Sequence, residues 1–151
     1  MEKEKTIDVL NTLIVINNDR IEGYTTASEE TDDNDLVSLF AGFIANSEKC
    51  KQELATEVKR LGGEVAEGTL ISGKVFRAWM EVKSTLTGKD REAILNSCEY
   101  GEDEAQETYD EALDEPTDLS TDQQTLIIRQ RQMLRSDHDQ VKTLRDAMAH
   151  A

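Results

Sequence analysis

Residues 62–88, GGEVAEGTLISGKVFRAWMEVKSTLTG, decide the fold. These 27 residues hold five of the chain's eight glycines, yet Ile71, Val75, Trp79, Val82 and Leu86 keep three- and four-residue apolar steps. The segment predicts a Gly-rich loop and then a short helix. At its start, Gly62-Gly63 closes a long helical pattern, the first glycine suiting a left-handed C-cap. At its end, Thr87-Gly88-Lys89-Asp90 resets the chain before another helix. Trp79 falls on the apolar stripe, so Trp79, Phe76 and Arg77 read as packing rather than as a binding platform.

Upstream, Ile7, Leu10, Ile14, Ile21 and Tyr24, with Asn17 and Ser28 as polar members of the stripe, predict a helix from about Lys3 to Glu30. The run Thr31-Asp32-Asp33-Asn34-Asp35 breaks it and offers N-cap side chains to a second helix. That helix bears the stripe Leu36, Phe40, Phe43, Ser47, Cys50, Leu54, Val58 and Leu61. Downstream, Ile94, Leu95, Cys98, Glu102, Ala105, Tyr109 and Ala112 mark a third helix, ended by Pro116. Ser120 or Thr121 caps a fourth, with Ile127, Leu134, His138, Val141 and Met148 on its stripe and Leu126, Met133 and Leu144 beside it. Short links make hairpins of helices one and two and of helices three and four. The 27-residue connection is long enough to carry the chain back along the bundle and set helix three parallel to helix two. The expected architecture is all-α: a ferritin-like four-helix bundle whose long crossover holds a short extra helix, one domain over residues 1–151.

A chain of 151 residues makes one core, and its one proline and 5% aromatics suit helices. Its 17 Lys+Arg against 32 Asp+Glu give a net charge of -15, which argues against nucleic acid and membrane surfaces as partners. The longest apolar run, Leu13 to Ile16, is far short of a membrane span, and Met1-Glu2-Lys3-Glu4-Lys5 does not begin an export signal. Cys50 and Cys98 lie on apolar stripes and read as buried reduced thiols, so a cytoplasmic protein is expected. Nine acidic residues and no basic one lie between Glu99 and Glu115, while helix four carries Arg129, Arg131, Arg135, Lys142 and Arg145. Helices three and four should attract each other; the two runs read as solvated faces with some ion pairs across the hairpin, with an acidic surface for a basic protein partner as the alternative.

Chemistry is sparser. Gly68 to Lys74 has the spacing of a phosphate-binding loop, but Val75 stands where a hydroxyl must hold Mg²⁺ and no strand precedes it. Asp33-Asn34-Asp35 lacks the spacing of a calcium loop, and two histidines, His138 and His150, leave no nucleophile set in view. One constellation remains. Ferritin-like bundles build two-metal centres from a Glu on each of two helices and a Glu-x-x-His on each of the others. Glu22, Glu99, Glu102 and His138 are the candidate metal ligands here, for iron or manganese, convergent midway along the bundle. Against them, Glu48-Lys49-Cys50-Lys51 and Arg135-Ser136-Asp137-His138 put cations at ligand positions. A polar core pairing Glu102 or Glu22 with His138, Lys51 or Arg135 is the reading without a cofactor.

Leu61-Gly62-Gly63, Gly68 to Gly73 with Arg77 and Trp79, Leu86-Thr87-Gly88, Cys98-Glu99-Tyr100-Gly101-Glu102-Asp103 with Tyr109, and His138-Asp139 before Leu144-Arg145-Asp146 resemble an uncharacterised bacterial family. It is a family of four-helix-bundle proteins of the ferritin-like superfamily, with no activity to carry over. The resemblance implies a bacterial origin and an ancestral metal site lost or altered. The expected function is a non-catalytic structural or stress-associated interaction protein, with a degenerate carboxylate/histidine metal site as the alternative. Leu13, Val15 and Ile16 widen the apolar face of helix one, which predicts a homo-oligomer, a dimer, joined there or through the crossover.

Overall fold

Among the described residues the chain forms four helices: α1 (Glu2–Glu30), α2 (Asn34–Arg60), α3 (Arg91–Asp114) and α4 (Thr121–Ala149). The computed structural model describes residues 2–68, 91–114 and 119–149, and these contain no strand. The short crossover helix, Trp79, the loop beyond Gly68 and Pro116 lie outside the described residues.

The polar links show how the helices run. Arg20 meets Ser47 while Tyr24 packs on Phe40 and Phe43, so α1 and α2 are antiparallel. Arg20 reaches Glu102 and Asn17 reaches Tyr109, which sets α3 antiparallel to α1 and therefore parallel to α2. Asn46 meets Asp137 and Glu57 meets Gln123, placing α4 antiparallel to α2. The long crossover predicts this arrangement, since only a connection spanning the bundle leaves two consecutive helices parallel.

Local chemistry fixes the helix ends. Gly62 has φ +82°, its N–H donates to the Lys59 carbonyl and that of Gly63 donates to Val58, so the orphan carbonyls of α2 are satisfied by a left-handed turn. A Cβ on Gly63 would lie 2.8 Å from Ile7 Cγ2, so the glycine is what lets this turn press on α1. At the start of α4, the Gln123 N–H donates to Ser120 Oγ and the Ser120 N–H to Gln123 Oε1, a reciprocal capping box. The start of α2 differs from the expected cap. Asp33 occupies the N-cap position without a side-chain cap bond, and its carboxylate instead accepts from Arg91 at 3.0 Å. Arg91 also clasps Asp35, so the acidic turn ties the head of α2 to the head of α3.

The expected stripes of α2 and α3 are buried, apart from a half-buried Leu61. On α1 the stripe residues Ile7, Ile21 and Ser28 are half-buried, while beside the stripe Leu13 is 0% and Ile16 1% exposed and Val15 is half-buried. Residues 63–68 lie along α1 and supply a third covered side beyond α2 and α3. Asn11 donates to the Glu64 carbonyl and accepts from the Ala66 N–H, both at 2.9 Å, and Asn18 donates to Gly68 O at 2.8 Å. The apolar width expected to form a dimer seam on helix one is thus used inside a single chain. No helix among the described residues is long and apolar enough to cross a membrane.

Candidate functional site

Midway along the bundle each helix turns one polar side chain inward. Arg20 of α1, fully buried, donates from Nε to Glu102 Oε1 at 2.5 Å and from Nη2 to Glu102 Oε2 at 3.0 Å, a bidentate pair with α3. The same Nη2 reaches Asp137 Oδ2 of α4 at 3.1 Å, and Nη1 donates to Ser47 Oγ of α2. Asn46 adds its amide to both Asp137 oxygens at 3.1 Å, and the Arg20 guanidinium carbon stands 5.4 Å from the Tyr24 ring centre. Burial works against the Arg20 charge, yet Glu102 holds its pKa above the ordinary arginine value. Burial also pushes the Glu102 and Asp137 carboxyls up, against the pull of Arg20 on both. One cation facing two acids makes this layer costly to leave half-paired.

A second layer, uncharged at its centre, repeats the plan. Asn17 donates to Tyr109 Oη at 2.9 Å, Tyr109 donates to Gln130 Oε1 at 2.7 Å, and Gln130 donates to the Cys50 carbonyl at 3.2 Å and to Glu53 at 3.1 Å. All four helices contribute again. The two cysteines flank these layers as buried free thiols. Burial pushes Cys50 up to about 12 and raises Cys98 as well, which leaves both as poor nucleophiles at neutral pH.

One residue outward lies a third cluster, on the rim between α3 and α4. His138, 7% exposed, sets Nε2 at 2.7 Å from Asp103 Oδ1 and Nδ1 at 3.1 Å from Asp139 Oδ1. Glu99 stands beside them and pairs with Arg145 Nη1 at 2.5 Å. Ligand-capable atoms of Glu99, Asp103 and His138 all lie within 4.8 Å of one another.

The four metal-ligand candidates therefore separate. Glu99 and His138 come together, with Asp103 as their third member. Glu102 is buried one residue away and is held by Arg20, not by His138. Glu22 does not join them: its side chain is exposed on the outer side of α1, in a hollow it shares with Lys51 and residues 65–68. Nor are Lys51 and Arg135 the interior cations, since Lys51 is half-buried in that hollow and Arg135 is exposed. Among the described residues the interior cation is Arg20, which apolar periodicity alone does not single out. A signal is nevertheless present, because Arg20 stands three residues after Asn17 and four before Tyr24, both on the expected stripe. Asp137 likewise follows Leu134 by three and precedes Val141 by four.

The expected attraction between α3 and α4 includes the ion pairs of Arg131 with Asp110 at 3.0 Å and of Arg145 with Glu99. Arg129 instead reaches Glu53 of α2, at 3.2 Å. Between α2 and α4 runs an open surface groove of about 710 Å³, lined by Leu39, Arg135, Asp139 and Leu144 among others.

The family model for the domain of unknown function DUF2383 matches residues 5–115. The chain belongs to the DUF2383 family. No curated protein matches the sequence significantly. The DUF2383 match spans nearly all of α1, with α2 and α3, and so contains Arg20, Ser47, Glu102, Glu99 and Asp103. Asp137 and His138 lie beyond it, on the helix that completes both clusters.

Proposed function

We propose that this DUF2383 chain is a non-catalytic ferritin-like bundle of bacterial, cytoplasmic origin, a structural or interaction protein in which an arginine has taken the place of core metal. The observation that carries the reading is the fully buried Arg20 guanidinium, bonded to Glu102, Asp137 and Ser47. Ferritin-like centres need a Glu on two helices and Glu-x-x-His on the other two. The positions that converge here hold Arg, Ser, Glu and Asp, a donor set that gives a cation too few carboxylates and meets it with a fixed positive charge. The parallel setting of α2 and α3 around a long connection supports the ferritin-like assignment.

Ferrous iron and oxygen added to the purified chain test it. Iron oxidation is expected no faster than in buffer. Oxidation abolished by Glu102→Gln or Asp137→Asn, and left intact by Asp103→Asn, would sink the reading. Self-association belongs to the same proposal, but on a face other than the α1 strip, whose Leu13 and Ile16 are buried. Light scattering across micromolar concentrations checks it, and a monomer throughout removes that part. A basic partner would dock on the acidic face of α3, with an affinity that falls steeply with salt.

A further inference from the structure

We infer that Glu99, Asp103 and His138 form a binding site for one borderline divalent transition ion, of the zinc, manganese or ferrous class, on the rim between α3 and α4. Glu99 and Asp103 are four residues apart on α3, so both side chains leave the same helix face, and His138 approaches from α4. Ligand distances of about 2.0–2.2 Å place neighbouring ligand atoms roughly 3–3.5 Å apart. The three groups are already within 4.8 Å, and the largely exposed Asp103 closes the remainder by changing rotamer while burial holds the imidazole still.

The surroundings of His138 point to a cation independently of that spacing. Both ring nitrogens face carboxylate oxygens, which only accept. A singly protonated ring donates to one and presents a lone pair to the other, a mismatch that either a second ring proton or a metal ion removes. An ion between Nε2 and Asp103 removes that conflict and leaves Nδ1–H donating to Asp139. This carboxylate–imidazole–metal order is the one that orients metal-bound histidines. Arg145 meanwhile brings a positive charge to Glu99 and already bonds Asp146 at 2.8 Å, so it has another partner when Glu99 turns to an ion. One imidazole and two carboxylates suit a borderline ion, and three protein ligands leave further positions for water. The site goes beyond the proposed function and does not depend on it, since its three ligands are distinct from the Arg20 layer.

The test uses the full chain stripped with chelator and titrated with Zn²⁺ against a chromophoric competitor, with Co²⁺ absorption reporting the ligand field. One ion per chain is expected. Glu99→Gln and Asp103→Asn should each weaken Zn²⁺ at least tenfold with the melting curve retained, because Asp103 is largely exposed and Glu99→Gln keeps the side chain's size and gives up one pair to the part-exposed Arg145. His138→Ala should remove the Co²⁺ bands, and Asp139→Asn should weaken binding about 10- to 100-fold by releasing the ring that the ion needs fixed. Arg145→Gln should tighten binding several-fold, a gain that a purely structural role for this cluster does not give. Asp110→Asn, on the same acidic helix but outside the cluster, should bind as wild type does. Wild-type affinity in Asp103→Asn, or an equal loss in Asp110→Asn, overturns the proposal.

Discussion

Glu102 and Asp103 are adjacent on α3, and Asp137 and His138 are adjacent on α4, yet each pair is divided between two environments. Glu102 and Asp137 turn inward to Arg20, whereas Asp103 and His138 face each other on the rim. The helical step of about 100° per residue does the dividing. The two environments therefore differ in where the compensating charge comes from. Inside, water and ions are excluded, so two acids persist only with a cation built into the chain. On the rim, Asp103 is 63% exposed at its side chain, and the compensating charge can be exchanged.

The largest effect should come from removing the built-in cation. Arg20→Met is expected to cost about 3–5 kcal/mol, because it leaves Glu102 and Asp137 buried without their partner. Urea unfolding measures it. The triple replacement Arg20→Met/Glu102→Leu/Asp137→Leu should recover most of the loss, since exchanging a whole buried network for apolar side chains is often neutral. If the triple variant is no more stable than the single one, the cost lies in lost packing rather than in unpaired charge. On the rim, Asp103→Asn should stay within about 0.5 kcal/mol of wild type.

The same contrast between interior and rim explains what could be read in the sequence. Apolar periodicity located the four helices of the described residues, and Gly62-Gly63 and Ser120 marked ends that the hydrogen bonds there bear out. The two polar layers were half legible. Glu102, Ser47 and Asn17 stand on their stripes between apolar residues, where a polar side chain is conspicuous. Arg20 and Asp137 stand on stripes too, but each has a neighbour, Ile21 or His138, that fits the period nearly as well and draws the attention. Periodicity gives the face of a helix and not the partner across it, so the pairing of Glu102 with Arg20 rather than with His138 had no sequence signature. The width of α1 is a related case: periodicity does not say how much of an apolar face a single chain buries, and Leu13 and Ile16 are buried within this one.

The second layer offers a milder break. Tyr109 is fully buried and its hydroxyl links Asn17 to Gln130, so Tyr109→Phe should cost about 1–3 kcal/mol by leaving both amides short of a partner. Denaturant unfolding of this variant and of Arg20→Met ranks the layers. A larger loss at Tyr109 would mean that the charged layer is less desolvated than its geometry implies.

The two environments should also respond oppositely to acid. Glu102 faces Arg20 from α1, Asp137 and His138 from α4, and Tyr24 and Cys98 nearby, and burial raises its pKa. A carboxyl that takes up a proton more readily when folded lets the native state bind more protons than the unfolded one, so stability from Glu102 and Asp137 rises as pH falls toward the ordinary carboxylate range. Asp139 is the reverse. The hydrogen bond from His138 lowers its pKa, so its contribution is complete above the ordinary aspartate value and is lost as pH falls through the lowered one. Unfolding measured from neutral to mildly acidic pH should therefore show wild type gaining on Glu102→Gln. The gap to Asp139→Asn should stay level over the same window and shrink only below it. A gap to Glu102→Gln that narrows against wild type on acidification would reverse the assignment.

The smallest effect is expected where an ion pair has the geometry of the core but the setting of the rim. Arg131 and Asp110 join α4 to α3 at 3.0 Å, about as close as Arg20 and Asp137, but their side chains are 34% and 56% exposed. Water already solvates both partners, so the pair gains little from meeting and loses little when broken. A double-mutant cycle with Arg131→Gln and Asp110→Asn should give a coupling of about 0.2–1 kcal/mol that fades as salt is raised. The corresponding cycle with Arg20→Met and Glu102→Gln should give a coupling several times larger and nearly indifferent to salt, because the mobile ions that screen the first pair do not reach the second. Similar salt sensitivity in the two cycles would mean that ions and water enter the Arg20 layer, and the contrast between a closed interior and an open rim would fail at its base.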